Sequence, residues 1–184
     1  MVEFELKILD YIKDVFGSAF LDKIIPIITS LGYNGIIWIA LAVILLFFRR
    51  TRPLALSIAI SLSLGFIFGN LIIKNLVARI RPYEYRNEIT LLVAKLKDYS
   101  FPSGHTLAAF EAATCVFIRY KKWGILALAF AAVIAFTRLY LYVHFLSDVL
   151  AGAVLGVIIA VIASAIVNRI YKKSNIIKNK NLID

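Results

Sequence analysis

Long apolar runs alternate with short charged turns along this chain. Five runs, at about 34–48, 54–80, 103–120, 122–142 and 146–170, carry few or no charges at their centres. A bilayer core about 30 Å thick takes roughly 20 helical residues to cross. An open sheet does not cross it, because its edge groups would lack partners in lipid. The pattern therefore predicts membrane-spanning helices, the first of them short. Residues 1–33 read differently. Phe4, Ile8, Tyr11, Ile12 and Val15 recur at helical spacing, while Glu3, Lys7, Asp10 and Asp14 fall on another face. That is the signature of an amphipathic helix lying in the interface. Leu21 to Leu31 is too short to span alone and is interrupted by Asp22 and Lys23. It dips into the membrane, packs across the bundle, or belongs to a sixth span. The expected fold is all-α: a polytopic membrane helix bundle of five or six transmembrane helices plus an N-terminal amphipathic interfacial helix. A single domain covers 1–184, with 1–33 interfacial or re-entrant and 171–184 a tail.

Composition agrees. Hydrophobic residues make up 61% of the 184, charged residues 17%, and mean hydropathy is +0.86. Soluble domains average about 45–50% apolar and roughly 25% charged. The formal net charge of +10 raises nucleic acid as a partner. The charges, however, cluster at the ends of apolar runs, so no nucleic acid is expected. The single cysteine, Cys115, permits no intrachain disulfide and reads as a buried, inert thiol. Glu3, Glu5 and Lys7 at the start are unlike a cleavable signal peptide.

The charges also orient the chain. Arg49, Arg50 and Arg52 lie in one turn, Arg119, Lys121 and Lys122 in another, and Arg169, Lys172, Lys173, Lys178 and Lys180 in the tail, with Asp184 the one acid among them. These segments alternate correctly for one membrane side. The positive-inside rule makes that side, and the C-terminus, cytoplasmic. Residues 81–102 and the turn near 143–146 then face outward. That outer side nevertheless carries Lys74, Arg79, Arg81, Arg86, Lys95, Lys97 and Arg138. Cations held there against the usual bias are either a solvated rim or an anion site.

Lys74 lies 20 residues beyond Leu54, a rise of about 30 Å at 1.5 Å per residue. Arg81 follows two turns up the same face if the helix persists, and Pro82 ends the run. Arg79 falls off that face and reads as a snorkelling side chain. His144 and Asp148 stand four apart at a helix start, so the carboxylate reaches the ring and leaves its other nitrogen free. Counting on by four gives Gly152, Gly156, Ala160 and Ser164, a small-residue packing seam. The seam turns His144 and Asp148 into the bundle, where ionisable residues are functional candidates. In the stretch Tyr99 to Thr106, Ser103 suits an N-cap and Gly104 admits close approach to the backbone. The helix start favours an anion, and His105 stands beside it. Both histidines of the chain therefore map to one membrane face with three cations: Lys74, Arg81 and Arg138.

These segments resemble a known family. K-x6-R-P appears as Lys74 to Arg81-Pro82, P-S-G-H as Pro102 to His105, and S-R-x5-H-x3-D as Thr137-Arg138, His144 and Asp148. The chain is similar to the type 2 phosphatidic acid phosphatase family, which shares its site with bacterial acid phosphatases and vanadium haloperoxidases. The one departure is Thr137 for the usual Ser, which keeps a hydroxyl. The resemblance implies that His144 attacks phosphorus and forms a phosphohistidine. It implies that Asp148 orients His144 and that His105 protonates the leaving oxygen. Lys74, Arg81, Arg138, Ser103 and the Gly104 N–H would bind the phosphoryl oxygens. Phosphoryl transfer rests on positioning and charge stabilisation, so three fixed cations suffice, and neither metal nor cofactor is expected.

The implied partners are a lipid phosphate or pyrophosphate and membrane lipids, with the site on the outer face of the cytoplasmic membrane. A short chain with an outward site suits undecaprenyl pyrophosphate. Phosphatidylglycerophosphate, phosphatidic acid and lipid A 1-phosphate are the alternatives. Ile89, Leu92, Val93 and Leu96 in the insert between Pro82 and Ser100 predict an interfacial helix beside the site, or else a connecting loop. A transporter for a phosphorylated solute is the competing class. Against it, the ionisable residues form no chain across the bundle; Glu111, about 9 Å inside His105 by helix rise, is the exception and reads as a hydrogen-bonded core acid. A soluble phosphatase or haloperoxidase conflicts with five apolar spans.

Overall fold

A computed structural model describes residues 2–86 and 88–180; residues 181–184 of the expected tail lie outside the described residues. The described residues form helices α1 (Val2–Phe16), α2 (Ala19–Leu31), α3 (Ile36–Leu46), α4 (Arg52–Gly65), α5 (Lys74–Val77), α6 (Gly104–Arg119), α7 (Lys121–Tyr140) and α8 (Leu146–Lys180), and no strand. A π-helical segment, Phe66–Ile73, joins α4 to α5. The stretch Arg52–Glu84 and helices α7 and α8 are long and apolar enough to cross a membrane; α2 and α3, bent by 45°, together make a fourth candidate. The all-helical membrane bundle expected from the apolar pattern is the observed fold. Residues 171–180, placed in the tail by composition, continue α8.

Helix α6 is the hub and packs against α4, α7 and α8. The small-residue stripe explains its contact with α8. A methyl group added at Gly152 would meet the Ser103 carbonyl oxygen at 2.8 Å, and one at Gly156 the Leu107 carbonyl oxygen at 2.7 Å. Ala160 is fully buried, and Ser164 donates to the Cys115 sulfur at 3.7 Å. The opposite face of α8 presents Leu150, Val154, Ile158 and Val161 outward. Small residues inside and large apolar ones outside are what a bundle in lipid requires. Because α6, α7 and α8 run alternately, the starts of α6 and α8 and the end of α7 meet at one end of the bundle.

Helix α1 docks on that same end. It buries Leu6 and Leu9 in a core with Tyr83, Tyr140, Tyr142 and Phe145, and leaves Phe4, Tyr11 and Val15 outward. Glu5 is buried too. The insert differs from the interfacial helix expected of it. After a 3-10 turn at Pro82–Glu84 its chain is irregular, although Ile89, Leu92, Val93 and Leu96 do pack on the core. Carbonyls that a helix would pair internally are taken elsewhere. Tyr83 Oη donates to Leu96 O at 3.0 Å, and Arg81 donates to the carbonyls of Asp98 and Tyr99 at 2.8 and 3.1 Å.

Candidate active site

Ser103 caps α6: its side-chain oxygen accepts from the Thr106 amide at 3.5 Å and the Thr106 hydroxyl at 3.0 Å. Its own amide donates to Asp148 O at 3.1 Å, tying the α6 start to the α8 start. Gly104 opens α6, where amides have no intrahelical acceptor. A side chain there would collide with Asn70 of the π-helical segment, whose Oδ1 would lie 2.8 Å away. The Phe101–Pro102 peptide before the cap is cis. His105 lies against the turn after α2, its ring edge-on to Tyr33 at 6.5 Å.

His144 sits in the turn between α7 and α8 and is 2% exposed. Its Nδ1 lies 3.6 Å from Asp148 Oδ2 and 3.4 Å from Ser100 Oγ. Its Nε2 faces Arg81 Nη1 at 3.3 Å. An arginine only donates, so Nε2 holds the lone pair and Nδ1 the proton. Asp148 Oδ2 is held by the Ser100 hydroxyl and by the Phe145 amide at 2.9 Å. Burial foremost, then the Arg81 and Arg138 charges, lower the His144 pKa, and Asp148 only partly offsets them. The imidazole is therefore neutral at pH 7, with a nucleophilic nitrogen turned to the cations.

Those cations converge, though not as a single helical face. The expectation that Lys74 and Arg81 share one helix fails at Ala78, which adopts φ 47° and ends α5. The left-handed turn costs a non-glycine residue free energy and redirects the chain. Arg81 then enters the site from extended backbone (φ −79°, ψ 152°), held also by Val143 O at 2.7 Å. Lys74 and Arg81 are 5% and 3% exposed. A carboxylate joins them that was not foreseen among the site residues. Asp98 accepts from Lys74 at 2.6 Å and from Arg81 at 2.7 Å, and is itself half exposed. Burial alone would raise its pKa, but the Lys74 hydrogen bond and the Lys74 and Arg81 charges hold it at about 2. No motif points to it; the only signal is its place two residues before Ser100.

Arg138 is fully buried at the end of α7. Nη1 donates to Thr29 Oγ1 at 2.5 Å, and among the described residues Nε is without a partner. Thr137 turns away: its hydroxyl donates to Ile134 O at 2.6 Å and lies 3.1 Å from that of Thr29. Arg79, expected to snorkel, instead turns inward to Asp148 at 2.6 Å. The geometry thus brings together Lys74, Arg81, Ser103, Gly104, His105, Arg138, His144 and Asp148. Asp98, Ser100, Arg79 and Thr29 stand among them. Such a cluster sets buried hydrogen-bond donors and positive charge around two imidazoles, the chemistry that suits an anion.

Comparison with known proteins identifies the family. Residues 50–172 match the PAP2 superfamily. An undecaprenyl-diphosphatase of Sulfolobus acidocaldarius is 36% identical over 121 residues, covering 65% of this chain and 58% of that protein. The chain thus spans under two thirds of that relative's length. The crystal structure of Aquifex aeolicus LpxE superposes with a TM-score of 0.72 at 29% identity, covering 86% of this chain and 93% of that one. A transmembrane PAP2-type phosphatidylglycerolphosphate phosphatase from Bacillus subtilis shares the fold, with a TM-score of 0.74 at 22% identity over 91% of this chain and 86% of that one. With all three motif segments inside the matched region, the chain belongs to the PAP2 superfamily.

Proposed function

We propose that this protein is an integral-membrane lipid phosphatase acting through a phosphohistidine. The observation that carries the reading is the lone pair of His144 Nε2, directed at the buried cations Arg81, Lys74 and Arg138. A phosphoryl group among them places phosphorus in front of Nε2. The N–P bond forms as the bond to the leaving oxygen breaks; His105, which takes up a proton once the substrate's phosphate charge offsets Arg138, Lys74 and Arg81, gives that oxygen its proton. The Nδ1 proton stays toward Asp148 and Ser100, whose acceptor oxygens balance the charge growing on the ring. Water then attacks phosphorus, returns a proton to His105, and frees His144 and inorganic phosphate. The three cations carry the equatorial charge, so the reaction proceeds without a divalent metal.

The substrate we assign is a polyprenyl pyrophosphate, undecaprenyl pyrophosphate in particular, cleaved to the monophosphate. The named activity of the Sulfolobus relative supports this choice. The site lies at the bundle end opposite the Arg49–Arg52 and Lys121–Lys122 turns, which supports an outer-face site in the cytoplasmic membrane with a cytoplasmic C-terminus. The test is phosphate release by the purified chain, with and without chelator. The panel is the polyprenyl pyrophosphate, phosphatidylglycerophosphate, phosphatidic acid and lipid A 1-phosphate. The pyrophosphate is expected to be preferred, with an acid-labile phosphoenzyme trapped by rapid quench and absent in His144→Ala. Normal turnover by His144→Ala would refute the mechanism.

A further inference from the structure

The nucleophile pair does not end at Asp148. Arg79 Nη1 donates to Asp148 Oδ1 and to Ser147 Oγ, each at 2.6 Å. Its Nη2 donates to Glu5 Oε2. The guanidinium stacks on the Phe145 ring at 3.9 Å. The other Glu5 oxygen accepts the Ser147 amide at 2.9 Å. That amide is one of the unpaired donors of the first turn of α8. Glu5, on the N-terminal helix, thus caps the helix that carries Asp148 and grips the arginine that holds it.

We propose that Glu5 and Arg79 are positioning residues for the nucleophile, which makes α1 a working part of the active site. Asp148 has one oxygen turned to His144 and Ser100 and the other locked by Arg79. Its carboxylate plane therefore follows Arg79, and Arg79 follows Glu5. Charge requires the same chain. Arg79 alone would neutralise Asp148 and leave the positive charge growing on His144 without a counterion. The buried Glu5 carboxylate restores the negative balance. A helix anchored only for membrane attachment would not place its buried acid here.

This inference rests on the phosphohistidine reading, and the experiment separates the two. Steady-state kinetics of the full chain in detergent micelles are measured on the polyprenyl pyrophosphate for Glu5→Gln, Glu5→Asp, Arg79→Gln and the Glu5→Gln/Arg79→Gln double variant. A misplaced catalytic group costs up to about a hundredfold in rate. Glu5→Gln is expected to lower kcat about tenfold or more with KM within about twofold, because the phosphate ligands are untouched. Glu5→Asp, which keeps the charge, should recover part of the loss. The double variant should fall little below Arg79→Gln, as for residues acting in series. Unchanged kcat in Glu5→Gln, a rise in KM alone, or fully additive losses would overturn the proposal. Melting temperatures confirm folding, and the conservative Glu5→Asp keeps the test valid if Arg79→Gln is unstable. His144→Ala on the same preparation distinguishes the failures: inactive His144→Ala beside fully active Glu5→Gln removes only this inference, whereas active His144→Ala removes the mechanism beneath it.

Discussion

Arg81 Nη1 faces His144 Nε2 at 3.3 Å, and this contact decides which ring nitrogen keeps its lone pair. The guanidinium has no lone pair, so the ring proton is driven to Nδ1, where Asp148 and Ser100 wait. In the proposed reaction the same arginine binds phosphate, and it therefore sets the tautomer of the nucleophile before phosphate arrives.

Asp148→Asn keeps the shape of the carboxylate but removes its charge. It leaves an amide to compete for the tautomer. An equivalent exchange in a serine protease triad costs about 10⁴ in kcat. We expect a loss of about a thousandfold or more here, with little change in KM. Ser100→Ala should cost far less, about tenfold, since the Phe145 amide still holds Oδ2. Stopped-time phosphate release measures both.

Asp98 occupies the two cations, Lys74 and Arg81, that the proposed reaction assigns to the phosphoryl group. With its pKa held at about 2, it stays ionised throughout the working pH range. An incoming anion must displace it. Asp98→Asn should therefore strengthen inhibition by inorganic phosphate or vanadate, lowering the inhibition constant by about tenfold, or ~1.4 kcal/mol. Weaker inhibition would instead mark Asp98 as the residue that aligns Lys74 and Arg81.

His144 is buried and faced by Arg81 and Arg138, with Asp148 and Ser100 on its other side. Burial and the cations dominate, so its pKa lies below the ordinary value near 6.5. A base with a lowered pKa remains unprotonated as pH falls through 6.5. The acid limb of kcat/KM, which reports the free enzyme, should accordingly fall below about 6.5. Two substrates of different phosphate pKa separate the enzyme limb from substrate ionisation. A shared limb at or above 6.5 would contradict the burial argument.

Gly156 tests the seam. A methyl there meets the Leu107 carbonyl at 2.7 Å and the Phe110 Cβ at 3.1 Å. Gly156→Val must push α8 from α6 and so separate Asp148 from Ser103. Overpacking of this kind costs typically 1–3 kcal/mol. Both the melting temperature in detergent and kcat should drop.

Thr137→Ser should be silent in kcat, within about twofold. The hydroxyl serves Ile134 O and reaches Arg138 only through Thr29, and serine retains those bonds.

Helical periodicity carried much of this site into view. Along a helix, spacing fixes both height and face, so residue counts together with the charges of the turns place Lys74, Arg138, His144 and Asp148 at one bundle end. The four-residue stripe Gly152, Gly156, Ala160, Ser164 marks a packing seam for the same reason, and the structure fills it with α6. Irregular backbone has no such rule. One left-handed residue, Ala78, undid the helical face assumed for Arg81 and turned Arg79 from lipid to Asp148. The insert reads apolar at helical spacing, yet its carbonyls are claimed by Tyr83 and Arg81.

The amino-acid sequence by itself determined an all-helical membrane chain, its charge asymmetry and the three motif segments that mark its family. Local spacing and the cost of unpaired backbone in lipid are enough for that. Only the tertiary structure decided which carboxylates besides Asp148 join the site. Glu5 meets Arg79 across 74 residues and Asp98 meets Lys74 across 24. Such pairs form because burying a lone charge is costly, and the partner is whichever opposite charge the packed helices bring within reach.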